Sequence, residues 1–221
     1  LPQILQNHYL KDDIIRVFGS DATRQWSERN LQLLAHELLS FLIVDLSPAA
    51  QTYLAKSSIY NTFYGEETEA SPESLPIIVG IQIRIGTNNT SFEPFVDLEM
   101  DVPKFWTCAD RILASKPNAK IFLATDSADV KQRALQRFPA SKVLFFEGPI
   151  VHSGNEQVTD ERGKGRSLDG LLKVVVDWWL LGDSQYLFRS RQSTFGRSAA
   201  VRRPTASMIL PTQFEEGCPL R

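Results

Sequence analysis

Hydrophobic and polar residues follow two different rhythms along the chain, and the rhythm changes near residue 76. Before that point, apolar residues recur every three or four positions, as in LQLLAHELLSFLIV, which is typical of amphipathic helices. A further helix is predicted to begin at Pro48, with Ser47 as its N-cap, because proline is favoured at the first helical position. The acidic stretch 64–76 contains two prolines and has no apolar periodicity. It therefore indicates a linker or loop.

Short apolar runs alternate with helical patterns from residue 77 onwards. The spacing predicts strands over residues 77–85, 119–126, 142–146, 185–188 and 206–210. It predicts helices between them, over residues 102–115, 127–138, 167–183 and 193–203. Strands that alternate with helices form right-handed βαβ units and a mainly parallel sheet. We therefore expect an α/β domain over residues 77–221, preceded by a helical segment over residues 1–76.

Polar side chains cluster where the predicted strands end. In open α/β sheets, ligands bind beyond the carboxyl ends of the strands, so these side chains are candidates for a site. The third strand leads into a loop that contains His152. The residues that follow the other strands are Gln82, Arg84, Asp126, Ser127, Arg189, Ser190, Arg191, Gln192, Ser193 and Thr194.

The motif STFG stands at the predicted start of the helix after the fourth strand. A helix N-terminus carries unsatisfied N–H groups and roughly half a positive charge, so it suits a phosphate group. Ser193 and Thr194 would add their hydroxyls, Gly196 would allow close approach, and Arg84 would hold the same anion through two N–H groups. The alternative is that Ser193 is only an N-cap and that the arginines are solvated. We favour the phosphate site because the motif falls where ligands bind in such sheets.

Several side chains near these strand ends have both a ligand interpretation and a structural one. The Asp126 carboxylate could accept the N1 and N2 edge of guanine or a ribose diol, or it could cap a helix. Glu93 could act as a general base toward a sugar hydroxyl, or it is an ordinary loop acid. His152 could touch ribose or phosphate, or it is incidental. Trp178 and Trp179 have helical spacing in an apolar helix and indicate a core or a domain interface.

Composition and missing motifs narrow the class of protein. The formal net charge of −2 over 221 residues argues against a general nucleic-acid binder, which needs many cations to displace counterions. No apolar run approaches the ~20 residues that cross a bilayer. The sequence has neither GxGxxG after the first strand nor GxxxxGKS/T, which disfavours a simple NAD enzyme or a P-loop NTPase. No cysteine and histidine cluster has zinc spacing.

Processing signals and cysteines indicate only weakly in which compartment the protein resides. The sequence has no initiator methionine and no signal peptide, and we expect a portion of a longer protein. Cys108 and Cys218 could pair in an oxidising lumen or stay free. Overlapping glycosylation sequons at Asn88 and Asn89 favour secretion slightly.

Several motifs together resemble those of plant cell-wall xyloglucan α1,2-fucosyltransferases. GIQIR is followed by PFVDLEMD and then by Cys108, as in the donor domain of that family. STFG, and the Asp183 that ends a leucine-rich helix, match two further family motifs. Arg84, Asp126 and the STFG loop are more distantly similar to the three motifs of α1,6- and protein O-fucosyltransferases. The resemblance covers residues 77–210.

This resemblance implies a GT-B glycosyltransferase whose C-terminal Rossmann-like half, here residues 77–221, binds GDP-fucose. Residues 1–76 would be the remnant of the acceptor-side half and a linker. Transfer of fucose to a glycan hydroxyl would invert the anomeric centre and would need no metal or other cofactor. The resemblance also implies a location in the Golgi lumen, with membrane contact only through a segment outside this sequence.

The resemblance assigns roles to individual residues. Arg84 would bind the diphosphate and stabilise it as it leaves. Glu93 is our candidate for the catalytic base because of its place in the loop after the Arg84 strand, and not because of the resemblance. Asp126 would lie near guanine, and the STFG loop would hold the phosphates. The complete set of expected donor-binding residues is Gln82, Arg84, Asp126, Ser127, His152, Arg191, Ser193, Thr194 and Phe195.

The sequence departs from the plant family at two places beside STFG. Gln192 replaces the aromatic residue before the motif, and RSAAVRR replaces the glycine-rich tail after it. Two alternatives therefore stay open. One is a glycosyltransferase that uses another nucleotide sugar, since a fold does not fix its substrate. The other is a non-catalytic nucleotide-sugar or glycan-binding module, which Glu93 and Asp97 do not favour because they leave carboxylates for catalysis.

Overall fold

The computed structural model of the 221-residue chain describes residues 46–65, 75–85, 96–148, 168–190, 193–202 and 207–209. Contacts divide the chain into two compact units, Leu1–Val44 and Asp45–Arg221, and every described residue belongs to the second. The helices predicted before residue 45, and most of the predicted linker, lie outside the described residues.

The described elements follow the predicted alternation of strands and helices. Two helices come first, α1 (Pro48–Ala55) and α2 (Ile59–Tyr64). The strands are β1 (Ile78–Ile83), β2 (Lys120–Thr125), β3 (Val143–Leu144), β4 (Tyr186–Arg189) and β5 (Ser207–Ile209). The helices between them are α3 (Val102–Ser115), α4 (Ala128–Arg137), α5 (Leu168–Asp183) and α6 (Thr194–Arg202), and a single 3₁₀ turn, Ala140–Lys142, precedes β3.

All five strands are parallel and lie in the order β3-β2-β1-β4-β5. The chain therefore adds β2 and β3 on one side of β1 and then crosses over to place β4 on the other. Opposite Val79 of β1 lie Ile121 of β2 and Tyr186 of β4. The reversal of strand order falls between β1 and β4, so the carboxyl ends of these two strands form the switch point where such sheets bind ligands.

Hydrophobic side chains cover both faces of the sheet. On one face, Val79, Ile81 and Ile83 of β1 pack in a cluster with Phe105 of α3 and Val130 of α4. This two-sided burial is typical of parallel sheets, and it explains why the strands appear in the sequence as continuous apolar runs.

The other face of the sheet is covered by α1, α5 and α6. Ala50 and Leu54 of α1 share a buried cluster with Val176 and Leu180 of α5. A Cβ atom at Gly80 would lie 2.6 Å from Ser184 Oγ, so glycine is what lets the turn after α5 approach β1. Helices α1 and α2 thus contribute to the core of the sheet domain, while the division of the chain at residue 76 stays a prediction.

The predicted helix caps are present at two helices. Pro48 is the first residue of α1, and Ser47 Oγ accepts a hydrogen bond from the Ala50 N–H at 3.4 Å. Ser127 Oγ accepts one from the Val130 N–H at 3.4 Å at the start of α4. Each cap satisfies one of the N–H groups that a helix start leaves open.

Candidate functional site

The carboxyl ends of β1 and β4 are joined by one buried serine. Ser190 directly follows β4 and is fully buried. Its N–H donates to the Gln82 carbonyl at 2.9 Å, and its Oγ accepts from the Arg84 N–H at 2.9 Å. The Ser190 hydroxyl also donates to the Gln82 carbonyl at 3.3 Å. A side chain therefore supplies the hydrogen bonds that a longer β4 would otherwise have supplied to β1.

The same serine connects β1 to the start of α6. The Ser193 N–H donates to the Ser190 carbonyl at 3.1 Å. Arg84 and Ser193 are thus each one hydrogen bond away from Ser190. These bonds bring the backbone of Arg84 and the start of α6 to the same residue, while the role of the Arg84 guanidinium stays a prediction.

The first turn of α6 is arranged as a capped helix start. Ser193 is 1% exposed, and its Oγ accepts from the Gly196 N–H at 3.4 Å. Its carbonyl accepts from the Arg197 N–H at 3.1 Å. Thr194 is exposed, whereas the partly buried Phe195 packs against the cluster beneath α1, α5 and α6. The start of α6 therefore exposes Thr194 to solvent, while Phe195 holds this turn against the core.

Glycine at position 196 brings α6 into direct contact with the ends of β1 and β4. A Cβ atom at Gly196 would lie 2.5 Å from Gln82 Oε1 and 2.8 Å from Arg189 Cβ. Gln82 is 4% exposed, and its Oε1 has no hydrogen-bond partner among the described residues. The structure thus places Gln82 beneath the first turn of α6, in contact with Gly196.

Asp126 connects the carboxyl end of β2 to that of β1. Its Oδ1 accepts a hydrogen bond from the Ile85 N–H at 2.9 Å. Ser127, not Asp126, is the N-cap of α4. The contact places the Asp126 carboxylate beside Arg84, which precedes Ile85, and so gathers polar groups from three strand ends at one edge of the sheet.

One of the candidate cations at the strand ends, to which the sequence assigned no particular role, is buried. Arg189, the last residue of β4, is 2% exposed, and its Nη1 lies 3.5 Å from the Ser190 carbonyl. The signal in the sequence was an arginine placed directly at the end of an apolar strand. Glu93, His152 and Arg191 lie outside the described residues, so their expected roles stay predictions.

Two buried ion pairs lie on α5, away from these strand ends. Lys173 binds Asp177 one helical turn further along, and Asp183 binds Arg202 at the end of α6. Burial raises the pKa of the Asp177 carboxyl to about 6, although Lys173 acts in the opposite direction. Neither pair could be predicted from the sequence, because the helix pattern indicates which positions are buried but not which partners they meet.

The two tryptophans of α5 pack against the core, as their spacing predicted. Trp178 Nε1 donates to Ser198 Oγ at 2.9 Å, and the Arg202 guanidinium lies 3.9 Å from the centre of the Trp179 ring. They therefore join α5 to α6.

The described residues contain neither a candidate metal site nor a candidate membrane span. No group of histidine, cysteine and acidic side chains in that part of the chain could hold a metal ion. None of the described helices is long and apolar enough to cross a membrane.

Comparison with solved structures identifies the fold. A crystal structure of the α-1,6-fucosyltransferase NodZ with GDP has a TM-score of 0.50 and 21% identity, over 81% of this chain and 48% of that one. NodZ soaked with GDP-fucose gives 0.50 and 22%, over 83% and 49%. Selenomethionine NodZ from Bradyrhizobium gives 0.50 and 21%, over 83% and 49%. No family model and no curated protein matches the chain.

The fold is therefore that of a GT-B fucosyltransferase, and the expected α/β class is confirmed. The chain spans about half the length of the NodZ chains that it matches. At this level of identity the likeness establishes the fold alone, and the chemistry must be argued from the site.

Proposed function

We propose that this chain is the donor-binding portion of a fucosyltransferase that uses GDP-fucose. One observation carries the proposal: Ser190 joins the end of Arg84's strand to the capped start of α6, at the switch point of the sheet. NodZ, which has the same fold, was solved with GDP and after soaking with GDP-fucose, and this supports the nucleotide class. The GIQIR and STFG motifs support the plant α1,2 type within that class.

The pyrophosphate would lie at the N-terminus of α6. The first-turn amides and the exposed Thr194 hydroxyl would bind its oxygens, and Arg84 would add a guanidinium. Ser193, whose hydroxyl was expected to bind the phosphates, is buried and would hold the turn in place as its cap. Negative charge accumulates on GDP as the bond to the sugar breaks. Fixed donors aimed at that charge stabilise the transition state without having to reorganise. Asp126, held in place by the Ile85 N–H, would face the guanine edge.

Transfer would occur in one displacement with inversion. The acceptor hydroxyl oxygen forms a bond to the anomeric carbon while the bond from that carbon to the phosphate oxygen breaks. Glu93 would take the hydroxyl proton as general base. The electron pair of the broken bond leaves with GDP, whose charge Arg84 and α6 neutralise, so we propose that no metal takes part.

The partners and location follow from the same proposal. A nucleotide sugar and a glycan acceptor are the expected partners, and no nucleic acid is expected. We place the protein in the Golgi lumen. Cys108 is disulfide-bonded, which supports an oxidising compartment of this kind.

Calorimetry with four nucleotides tests the donor assignment. GDP and GDP-fucose should bind, GDP-mannose should bind more weakly, and UDP should not bind. Arg84→Ala should weaken GDP binding by about tenfold to a hundredfold, since a hydrogen bond to a charged group is lost. Arg137→Ala is the matched control, because Arg137 pairs with Asp110 on an exposed part of α4. Unchanged GDP affinity in Arg84→Ala would contradict the diphosphate role.

Slow hydrolysis separates an enzyme from a binding module. If the site is catalytic, the protein should release GDP from GDP-fucose without an acceptor, and EDTA should leave that rate unchanged. GDP-fucose that is bound but never hydrolysed would indicate the non-catalytic module. A strict metal requirement would contradict the proposed mechanism.

A further inference from the structure

The C-terminal end of α6 is held by a buried ion pair. Arg202, the last residue of α6, binds Asp183, the last residue of α5, and their side chains are 7% and 4% exposed. Arg202 Nη2 also donates to the Trp179 carbonyl at 2.5 Å, and its guanidinium stacks on the Trp179 ring. Charge, hydrogen bonding and stacking thus fix one guanidinium in one place.

Two further contacts hold the ion pair in place, one at the second oxygen of Asp183 and one at Gly182. Tyr64, at the end of α2, donates its hydroxyl to Asp183 Oδ2 at 2.5 Å. Burial, together with the Asp183 charge, raises the pKa of the Tyr64 hydroxyl, so it stays a donor. A Cβ atom at Gly182 would lie 2.6 Å from Arg202 Nε. Arg202 therefore occupies space that only glycine at position 182 leaves open.

This ion pair and the proposed nucleotide site lie at opposite ends of α6. Because α6 connects the parallel strands β4 and β5, its first turn lies at the carboxyl edge of the sheet and its last turn near the amino edge. The helix has only nine residues. Its first turn lies directly on Gln82 and Arg189, so a small shift along the helix axis would displace the capped amides.

We propose that the Asp183–Arg202 pair positions α6 so that its N-terminal amides meet the pyrophosphate. Asp183 and Arg202 are positioning residues, since they act on the ligand only through the helix that joins them to it. This inference rests on the proposed function, because it assigns the amides of α6 to a nucleotide ligand. It also gives a physical reason for an aspartate at the end of the leucine-rich helix and for the arginine in the segment that follows STFG.

Two variants disturb the pair by different routes. Gly182→Ala places a methyl group against Arg202 while keeping both charges, and Asp183→Asn removes the charge while keeping the shape. The matched control is Ile112→Ala, which opens a cavity in α3 on the opposite face of the sheet. All three are compared with wild type by GDP calorimetry and by hydrogen exchange of the Gly196 and Arg197 amides, at temperatures equally far below each melting temperature.

We expect the two variants, but not the control, to lose GDP affinity and amide protection at the start of α6. Gly182→Ala and Asp183→Asn should each weaken GDP binding by about tenfold or more, since small displacements of binding groups have large effects. Their Gly196 and Arg197 amides should exchange faster, whereas Ile112→Ala should keep wild-type affinity and protection. The inference is overturned if Gly182→Ala keeps both wild-type GDP affinity and wild-type amide protection. It is also overturned if Ile112→Ala, compared at equal stability, loses as much GDP affinity and amide protection as the two variants do. If the wild-type protein does not bind GDP, the proposed function is wrong. Amide exchange alone would then decide whether the pair positions α6.

Discussion

The two buried ion pairs of α5 differ in what they connect. Lys173 and Asp177 are four residues apart on one helix, so their contact adds no tertiary connection. Asp183 and Arg202 are nineteen residues apart and join the ends of two helices. One pair thus stays within an element, whereas the other fixes how two elements lie against each other.

The two pairs also differ in how completely their carboxylates are satisfied. Asp183 accepts from Arg202 at one oxygen and from Tyr64 at the other. Asp177 Oδ2 accepts from Lys173, while its Oδ1 has no hydrogen-bond partner among the described residues. Burying a charge is unfavourable unless its hydrogen bonds are replaced, which explains why the pKa of Asp177 is raised. Burial of an ion pair is therefore not in itself evidence that the pair stabilises the protein.

Breaking the pair between the helices should have the largest effect. We expect Asp183→Ala to lower the free energy of unfolding by about 3–5 kcal/mol, because Arg202 is left buried without a counter-charge. Urea unfolding measures this loss. The double variant Asp183→Ala/Arg202→Met should recover part of it, and equal losses in the single and double variants would show that the unpaired charge is not the cause.

The pair within α5 should make stability depend on pH. The pKa of Asp177 is about 6 in the folded protein and 3.8 as the ordinary value, so the folded state holds this proton more tightly. Its contribution to stability is present below pH 3.8 and is lost as the pH rises through 6. Urea unfolding between pH 3.5 and 7 should show this fall in wild type, as a difference from the Lys173→Met/Asp177→Leu variant. A flat difference would contradict the raised pKa.

Replacing the pair within α5 by apolar residues should have a smaller effect of opposite sign. We expect Lys173→Met/Asp177→Leu to raise the free energy of unfolding by about 1–2 kcal/mol at pH 7, because two buried charges disappear together. Lys173→Met alone should destabilise the protein, since it leaves Asp177 without its partner. A double variant less stable than wild type would mean that the pair is well compensated after all.

Breaking an exposed ion pair should have the smallest effect on stability. Arg137 and Asp110 form an ion pair with side chains 58% and 39% exposed. We expect Arg137→Ala to change the free energy of unfolding by less than about 0.5 kcal/mol, because solvent screens both charges. Thermal or urea unfolding measures the change, and a loss comparable to that of Asp183→Ala would undo the distinction between buried and exposed pairs.

Elements with strong local signals were predictable from the sequence. The helix predicted over residues 102–115 is α3 to the residue, and Pro48 begins α1 as its cap predicted. The third strand is shorter than predicted, because only Val143 and Leu144 pair with β2. The apolar run continues into Phe145 and Phe146, which pack against the two hydrophobic clusters without pairing. Apolar periodicity reports burial, and it cannot separate a paired strand end from a packed loop.

The candidate site was predictable only as a region. The order of strands and helices is enough to bring Arg84 and Ser193 to one edge of the sheet. The role of Ser190 between them depends on contacts more than a hundred residues apart in the sequence, as does the contact of Gly196 with Gln82. Such contacts leave no trace in local spacing, so neither could be found before the chain was folded.

The Ser190 hydroxyl has a consequence for where the chain can leave the sheet. It replaces one backbone hydrogen bond between β4 and β1. The backbone can therefore turn from β4 toward α6 one residue earlier, while the end of β1 stays hydrogen-bonded. The start of α6 can then lie against Gln82 and Arg189 while the end of β1 keeps its hydrogen bonds.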